Sequence, residues 1–366
     1  MQPNQTLAGW WRVIALKDQR ILLIALGITA LAAILVFAHV NAVLLFIITA
    51  GALALLASVV GTATEQVGAR LGAGATGVLQ SALGNLPELF VGIFALRAGL
   101  VTVIQSALVG SILGNSLLVL GGAFLLGGLK HGTQKFTANA PRMMAVLTLL
   151  AVAALIVPTL AQGLHTPAAG HEATLSIICA IVLLVIFAAS IPMALQGGPA
   201  NMPEAATTGM RQGTWPLALA GVVLALAGLG SAFVSDWFVN ALTPAMAALH
   251  LTPTFTGLVI VALAGNAVEN VVGLQFALRN QQDYAVSIIL NSSLQIALGL
   301  IPVLVLLSFI LGGAHLLLVL PPLLVAALAL SAILGTIVIY DGESTWLEGL
   351  ALIGLYIIIA IAFWWG

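Results

Sequence analysis

Two glutamates, Glu88 and Glu269, lie inside long apolar stretches and occupy the same place in two copies of one sequence pattern. The first copy begins GNLPELF and the second begins GNAVENV, and both carry Phe-Ala-Leu-Arg shortly after the glutamate. A serine follows each glutamate by 23 residues, at Ser111 and Ser292. An ionisable side chain at membrane depth costs about 3 kcal/mol or more, so it indicates a function rather than packing. Two such residues in a repeat are typical of secondary transporters.

The residues near both glutamates offer oxygen ligands only. Asn85 and Asn266 each precede a glutamate by three residues, which places amide and carboxylate within one helical turn on the same face. Neighbouring glycines and Pro87 weaken the helix, and the proline frees a carbonyl one turn earlier. Further hydroxyl and amide groups follow on the next apolar span of each copy: Ser106, Ser111, Asn115, Asn291, Ser292, Ser293 and Gln295. Oxygen ligands with two negative charges suit Ca²⁺ better than Zn²⁺ or Cu⁺.

Four acids of the sequence lie within apolar spans: Glu65, Glu88, Asp236 and Glu269. No lysine or arginine lies at a comparable depth, so each carboxyl must be protonated, hydrogen-bonded or neutralised by a cation from solution. The alternative is a set of protonated acids that only donate structural hydrogen bonds. For Ser106 or Asn115 taken singly, a helix–helix hydrogen bond is the ordinary role. Four acids in two related pairs favour an ion pathway.

The composition determines the class of protein. Of the 366 residues, 61% are hydrophobic and 6% are charged, and the mean hydropathy is +1.20. Water could not solvate such a surface, so the sequence predicts an all-α polytopic membrane protein. The single cysteine, Cys179, excludes an intramolecular disulfide. Eleven transmembrane helices are predicted, at 21–37, 42–67, 75–97, 100–126, 143–162, 173–195, 214–242, 254–278, 285–311, 315–339 and 345–365.

The basic residues predict how these spans are oriented. With the N-terminus in the cytoplasm, nine of the ten lysines and arginines lie inside and only Arg97 lies outside. An odd number of spans puts the C-terminus outside and inverts the second copy of the repeat relative to the first. The chain then divides into an N-terminal segment with an extra helix at 1–41, five-helix halves at 42–196 and 214–366, and a cytoplasmic linker at 197–213. A cleaved signal peptide is the alternative interpretation of the first span.

The segments at 84–122 and 265–301 resemble the two alpha repeats of the proton/calcium exchanger (CAX) family of the cation/calcium antiporter superfamily. The resemblance rests on GNLPELFVGIFALRAG with VIQSALVGSILGNSLLVLG, and on GNAVENVVGLQFALRN with LNSSLQIAL. The segment LLASVVGTATEQVGARLG at 55–72 is similar to the family's preceding helix. This resemblance implies two inverted five-helix repeats after an extra N-terminal helix, with broken helices at the midplane. It also implies exchange of Ca²⁺ for H⁺ by alternating access, without a cofactor.

The resemblance further assigns roles to single residues. Glu88 and Glu269 would be the carboxylates that Ca²⁺ and protons share. The expected ion ligands are oxygen-bearing residues of both copies: Glu88, Glu269, Asn85, Asn266, Ser292 and Gln295. The expected residues of the proton and access path are two further acids and two polar residues: Glu65, Asp236, Ser111 and Asn115.

Three departures from the family pattern bear on ion preference and regulation. Asn270 stands where the family commonly has His, and Asn291 replaces a usual Gly. The linker lacks the acidic helix that many members carry, which argues against regulation by such a segment. Asn85 and Asn266 occupy positions that similar sodium exchangers fill with Thr, which favours proton coupling.

Other functions are compatible with parts of this pattern. An antiporter of Mn²⁺ or Na⁺ for H⁺ with the same fold is the nearest alternative. A cation channel is less favoured because channels rarely need an inverted repeat with broken helices. An intramembrane enzyme would need paired Asp, an activated nucleophile or metal-ligating His at depth, which the spans lack. The expected partners are Ca²⁺, protons and the lipid bilayer, without nucleic acid, in a prokaryotic cytoplasmic membrane.

Overall fold

The computed structural model describes residues 13–38, 40–71, 79–80, 83–196 and 215–365, and nearly all of them are helical. The helices before residue 197 are α1 (Leu16–Phe37), α2 (Ala42–Leu71), α3 (Leu86–Arg97), α4 (Val101–Leu113), α5 (Leu120–His131), α6 (Asn139–Gly163) and α7 (Glu172–Gln196). The later helices are α8 (Leu217–Leu249), α9 (Pro253–Phe255), α10 (Ala262–Gly265), α11 (Ala267–Leu278), α12 (Gln282–Gln295), α13 (Ile301–Ser308), α14 (Pro322–Ile339) and α15 (Trp346–Ala362). The other elements are π-helical segments at Gly114–Val119, Thr256–Val261 and Ile296–Leu300, and the strands β1 (Gln134–Lys135) and β2 (Glu343–Ser344).

The membrane spans agree with the sequence prediction. Eight described helical stretches are long and apolar enough to cross a membrane, and α9 to α11 form a further span with a bend. The shorter helices α3 and α15 fall on the two remaining predicted spans. Leucine, isoleucine and valine side chains lie exposed along these helices, as expected where the neighbour is lipid. The prediction of an all-α polytopic membrane protein with about eleven spans is confirmed.

Local sequence explains where several helices begin. Thr345 and Glu348 form a capping box at the start of α15: Glu348 N donates to Thr345 Oγ1 over 3.3 Å, and Thr345 N donates to Glu348 Oε2 over 2.9 Å. Thr252 caps α9 in the same way, because its Oγ1 accepts from Phe255 N over 3.1 Å. Pro253 follows at the first helical position, where its missing N–H costs nothing.

The chain forms two units, each assembled from two separate stretches of sequence. The first unit takes residues 1–94 and 188–245, and the second takes residues 95–187 and 246–366. Helices α3, α7 and α8 each run from one unit into the other. The predicted five-helix halves follow the sequence repeat and stay a prediction. The predicted linker between them lies outside the described residues.

In the first unit, α2 and α8 run antiparallel. Near the end of α2, Trp215 N donates to Gln66 Oε1 over 3.1 Å, and Arg70 Nε donates to Trp215 O over 3.2 Å. Toward the other end of the pair, the rings of Phe46 and Phe238 stack with their centroids 5.0 Å apart. The last turns of α2 therefore lie beside the start of α8.

In the second unit, the two copies of the repeat share an interruption of the helix. Helix α4 carries Ser111 and continues into the π-helical segment Gly114–Val119. Helix α12 carries Ser292 and continues into the π-helical segment Ile296–Leu300. Single π-helical turns inside α-helices are frequent at functional sites. The equivalent positions in both copies indicate that the interruption belongs to the repeat itself.

The loops that carry β1 and β2 meet at one face of the second unit, which we call the ribbon face. Strands β1 and β2 pair antiparallel there, and Lys135 Nζ lies 2.8 Å from Glu343 Oε1. Arg142 Nε donates to Tyr340 O over 2.7 Å, and its guanidinium lies 4.6 Å from the centre of the Tyr340 ring. The positive-inside pattern predicts a cytoplasmic position for these loops, and this position stays a prediction.

The structure corrects the start of the predicted span at 315–339. Helix α13 ends at Ser308 and α14 begins only at Pro322, so residues 309–321 are non-helical. After α13, Gly312 and Gly313 adopt positive φ angles of 74° and 98°, which are incompatible with a continuing α-helix. Pro322 also disfavours helical geometry at the residue before it. The sequence prediction placed the start of this span too early because residues 315–321 are apolar.

Side chains from distant helices satisfy the backbone of this non-helical segment. Gln105 Nε2 donates to Leu317 O over 2.8 Å and to Val319 O over 3.1 Å. Three backbone N–H groups of the segment donate to hydroxyl oxygens, each over 2.9 Å: Leu316 to Ser308, Leu318 to Ser176, and Leu320 to Thr159. Non-helical backbone at membrane depth is tolerated only where it is buried in protein with such partners or lines a cavity.

Candidate functional site

The second copy of the repeat contains a broken helix, as the sequence predicts. The stretch Pro253–Gly265 is bent by 65° against α11. Asn266 stands at the break with φ −93° and ψ 18°, outside the α-helical range. Ala262 O, in the first residue of α10, accepts from both Asn266 Nδ2 over 2.9 Å and Asn266 N over 3.2 Å. The asparagine therefore caps the helix that it interrupts.

A chain of hydrogen bonds connects Asn266 with three other predicted residues. Asn266 Nδ2 donates to Ser111 Oγ over 2.8 Å, and Ser292 Oγ donates to Asn266 Oδ1 over 3.4 Å. Asn115 Nδ2 donates to Ser292 Oγ over 2.9 Å. All four side chains are buried. The structure thus brings residues of both repeats together, and Asn115 makes the helix–helix bond that was its ordinary expectation.

Glu269 lies in the first turn of α11, one turn after Asn266. Its Oε2 atom is buried, and none of the described residues donates a hydrogen bond to it. Asn270 Oδ1, next along the helix, is likewise buried without a donor from the described part of the chain. A buried carboxylate oxygen without a donor is costly when the group is ionised, and a proton or a cation at Glu269 would remove that cost. Asn270 was not among the predicted ligands, although its place directly after the glutamate was an available signal.

The first copy of the repeat shows a similar start. Asn85 lies in the turn that precedes α3, and its carbonyl accepts from Leu89 N over 3.0 Å. Pro87 and Glu88 occupy the first turn of α3, where the proline is buried and the glutamate is partly buried. Both residues belong to the first unit. The helix boundary thus falls beside Glu88, as the glycine and proline of this segment predict.

Glu65 and Asp236 lie toward opposite ends of the antiparallel pair α2 and α8. Glu65 is exposed and immediately precedes Gln66, the residue that bonds the start of α8. Asp236 is two residues from Phe238, which stacks on Phe46 near the start of α2. About 20 residues of α2 separate the two levels, which is roughly 30 Å along a helix. Asp236 Oδ2 also accepts from Asn240 Nδ2 over 3.2 Å.

Gln295 and Ser106 are two further polar residues that the sequence singles out on these spans. Gln295 is the buried last residue of α12, directly before the π-helical segment and one turn after Ser292. Ser106 is fully buried on α4, but its Oγ has no hydrogen-bond partner among the described residues. The polar chain near Asn266 therefore does not extend to Ser106.

The fold and this arrangement define a class: an all-helical polytopic membrane protein built on a repeat with an interrupted helix and buried polar residues. Within that class, the chain belongs to the sodium/calcium exchanger protein family, whose sequence profile matches residues 41–196 and 219–365. The match covers both copies of the repeat. It confirms the family resemblance found in the sequence.

Curated relatives and solved structures agree with this assignment. The chain is 35% identical to a "Ca(2+)/H(+) antiporter" of Synechocystis sp. over 87% of this chain and 90% of that protein. It is 33% identical to the "Ca(2+)/H(+) antiporter ChaA" of Bacillus subtilis over 89% of this chain and 93% of that protein. The structure titled "Structure of native YfkE" aligns with a TM-score of 0.79 and 29% identity, over 94% of this chain and 100% of that chain. The "H+/Ca2+ Exchanger CAX" structure shares the fold at a TM-score of 0.76 and 17% identity, over 95% of this chain and 92% of that chain.

Proposed function

We propose that this protein is an antiporter that exchanges Ca²⁺ for H⁺ across a membrane. The observation that carries the proposal is the pair of buried acceptor oxygens, Glu269 Oε2 and Asn270 Oδ1, which lack a donor in the described part of the chain. Acceptor oxygens without donors suit a hard cation such as Ca²⁺. The relatives named as Ca²⁺/H⁺ antiporters, at 33% and 35% identity over most of their length, support the same pair of ions.

Asn266 is the ligand whose orientation is best defined in this proposal. Its amide nitrogen has two protons, and Ala262 O and Ser111 Oγ accept them. Its Oδ1 accepts the long bond from Ser292 Oγ and has a second lone pair that can face a cation. Because the amide cannot turn without losing both donated bonds, the oxygen is fixed as the ion-facing atom.

The exchange follows from competition for carboxylates. With Ca²⁺ bound, Glu88 and Glu269 are ionised and the charges of site and ion nearly cancel. With protons bound, both carboxyls are neutral. An empty site with two ionised carboxylates would be costly to close at low dielectric, so alternating access couples the two ions. If this pair accounts for all coupling, charge balance gives about two protons per Ca²⁺.

Glu65 and Asp236 serve opposite entrances in this mechanism. Their separation along α2 and α8 supports the proposal, and inverted repeats place corresponding residues on opposite sides of the midplane. Glu65→Gln should chiefly weaken Ca²⁺ loading from the cytoplasmic side, and Asp236→Asn should chiefly affect the outer side. A transport assay with Ca²⁺ supplied from either face distinguishes them. Identical defects from both faces would assign these acids a structural role.

The proposed orientation has the N-terminus in the cytoplasm and the C-terminus outside. The ribbon face collects Lys135 and Arg142, and positive residues favour the cytoplasm. Single cysteines at positions 2 and 366, introduced after Cys179→Ala, should react with an impermeant reagent from opposite sides. Labelling from the same side would refute the odd number of spans.

The experiment that tests the function is ⁴⁵Ca²⁺ uptake into inside-out vesicles, with and without a pH gradient in which the vesicle interior is acidic. The gradient should drive uptake, and a protonophore should abolish it. Uptake that ignores the proton gradient but follows a Na⁺ gradient would overturn proton coupling. Mn²⁺ prefers oxygen ligands too, so competition by Mn²⁺ in the same vesicles measures the selectivity against the nearest alternative.

A further inference from the structure

The short helix that carries Glu269 is held at its far end by one segment of the ribbon face. Helix α11 has 12 residues, with Glu269 near its beginning and Leu278 at its end. Its beginning follows the bend at Asn266, so the preceding helix cannot fix its position rigidly. Eight residues separate Glu269 from Ala277, which is about 12 Å along a helix. We call the end of α11 at Leu278 its inner end. A displacement of this inner end is therefore passed to the Glu269 carboxylate through little more than two helical turns.

Gln134, the first residue of β1, contacts this inner end. Its Nε2 donates to Asn280 Oδ1 over 2.8 Å and to Ala277 O over 3.3 Å, which uses both amide protons. Asn280 has a positive φ of 59°, and its backbone N–H donates to Ala277 O over 3.1 Å, so it terminates the helix. Gln134 thus bonds both the last turn of α11 and the residue that ends it.

The position of Gln134 is itself closely defined. The side chain is 3% exposed although it lies in a loop between two exposed neighbours, His131 and Lys135. The β1–β2 pairing sets its backbone opposite Ser344. Gly127 leaves space for its amide, since a Cβ atom there would lie 1.9 Å from Gln134 Oε1. A polar side chain that is buried in this way and donates both of its hydrogen bonds to one helix end indicates a specific positional role.

Neighbouring side chains strengthen the same attachment. Lys130 Nζ donates to Leu278 O over 2.9 Å, and His131 Nε2 lies 3.0 Å from the same oxygen. Positive groups at a helix C-terminus interact favourably with its partial negative charge. Lys130 and His131 are exposed, whereas Gln134 is buried, so Gln134 is the member of this group with a fixed geometry.

We propose that Gln134 is a positioning residue for ion exchange: it sets the location of the Glu269 carboxylate by holding the inner end of α11. This proposal rests on the proposed role of Glu269. Partners that orient a metal ligand typically contribute 10- to 100-fold in metal affinity, and Gln134 acts in the same sense through a helix. Its loss should therefore change how the site binds Ca²⁺ rather than only how much protein folds.

The test measures the KM for Ca²⁺ and the maximal rate per amount of folded protein in proteoliposomes. Gln134→Leu replaces the amide with an apolar side chain of similar size and so removes the donor. We expect its KM for Ca²⁺ to rise about tenfold, with a smaller change in maximal rate. Ser344→Ala is the matched control: Ser344 Oγ donates to Gln134 O over 3.4 Å within the ribbon. It should leave the KM unchanged.

A second variant makes the test independent of folding yield. Asn280→Gly keeps the positive φ and removes the nearer of the two acceptors of Gln134 Nε2, leaving Ala277 O. It should raise the KM severalfold, and the double variant should resemble Gln134→Leu alone because the two residues act through one bond. If Gln134→Leu does not yield folded protein, Asn280→Gly decides the question. An unchanged KM in every variant that folds, with only the yield or maximal rate lowered, would overturn the proposal.

Glu269→Gln in the same proteoliposomes separates this proposal from the one it rests on. Transport by Glu269→Gln at the wild-type rate would remove Glu269 from the site, and the proposed function would need another carboxylate. If Glu269→Gln does not transport Ca²⁺ and the KM is unchanged in Gln134→Leu and Asn280→Gly, only the positioning role is refuted.

Discussion

The two copies of the repeat agree closely near the polar chain and differ at their ends. In both, a serine of the chain is followed within one turn by a π-helical segment, at Gly114–Val119 and at Ile296–Leu300. Beyond that point, α5 continues for 12 residues to the ribbon face, whereas α13 stops after eight residues and gives way to the non-helical segment 309–321. The comparison indicates that the repeat preserves what lies next to the site. Its ends are adapted to different surroundings.

The largest expected effect concerns the equivalence of the two glutamates. Glu88→Gln and Glu269→Gln should each reduce Ca²⁺/H⁺ exchange to background, because the amide keeps the shape but cannot alternate between charged and neutral forms. ⁴⁵Ca²⁺ uptake in vesicles with matched protein content measures this. Glu172→Gln, at the partly exposed first residue of α7, is the control and should transport normally. A wild-type rate in either variant would break the equivalence of the two copies.

The next effect concerns the close contact between α4 and the π-helical segment Thr256–Val261. A Cβ atom at Gly110 of α4 would lie 2.1 Å from Leu258 O, so Gly110→Ala must separate the backbones. We expect the free energy of unfolding to fall by about 2–3 kcal/mol and the thermal unfolding temperature to fall by several degrees. Gly114→Ala, one turn later, meets its nearest neighbour, Leu263 Cδ2, only at 4.0 Å and should cost little. Equal losses in both variants would contradict this account of the packing.

A smaller effect should distinguish the two serines of the polar chain. Ser292→Ala leaves the buried Asn115 Nδ2 without its acceptor, which costs about 1–3 kcal/mol, and it frees Asn266 Oδ1. Ser111→Ala leaves Asn266 its bond to Ala262 O and should cost less. The KM for Ca²⁺ should rise more in Ser292→Ala than in Ser111→Ala.

The control for this comparison is Ser293→Ala. Ser293 is buried beside Ser292, but its Oγ has no hydrogen-bond partner among the described residues. Its removal should leave the KM unchanged and be neutral or stabilising. A larger shift in KM for Ser293→Ala than for Ser292→Ala would show that the chain has been traced through the wrong serine.

The smallest effect is expected at the ribbon face. The hydrogen bond to Glu343 raises the pKa of Lys135 above its usual value of 10.5. A raised pKa gives a stabilisation that is complete below the usual value and disappears only as the pH rises through the higher one. Because both side chains are exposed, Lys135→Gln should leave the unfolding temperature unchanged within error from about pH 6 to 9, a window that lies below the usual pKa of Lys135. A clear, salt-sensitive loss would show that the ion pair contributes to the ribbon.

The sequence predicted the features that depend on local residues. The length of apolar runs gave the spans, and Gly265 next to Asn266 gave the break, because each signal lies within a few residues. The predicted start of the span at 315–339 was wrong because residues 315–321 are as apolar as the residues of a membrane-spanning helix. The partners that stabilise them, Gln105 and Thr159, lie more than 150 residues away in sequence.

The sequence predicted single residues of the polar site, but it did not predict which of them bond to each other. Asn266 and Ser292 stood out as polar residues in apolar spans, so their types were sufficient to select them. That Ser111 and Asn115 belong to the same hydrogen-bonded chain follows from how α4 and α12 pack, which no local pattern encodes. Gln134 gave no signal, because a glutamine beside lysines in a loop has the composition of any exposed turn.

The bend at Asn266 has an electrostatic consequence that does not depend on the titrating side chains. A continuous helix has its partial charges at its two ends, near the membrane surfaces. An interrupted helix adds two more ends: the carbonyls that close α10 carry partial negative charge, and the N–H groups that open α11 carry partial positive charge. Two opposite poles therefore meet between Ala262 and Glu269. The first attracts a metal ion and the second favours an ionised carboxylate, so the backbone alone prepares both halves of an ion pair.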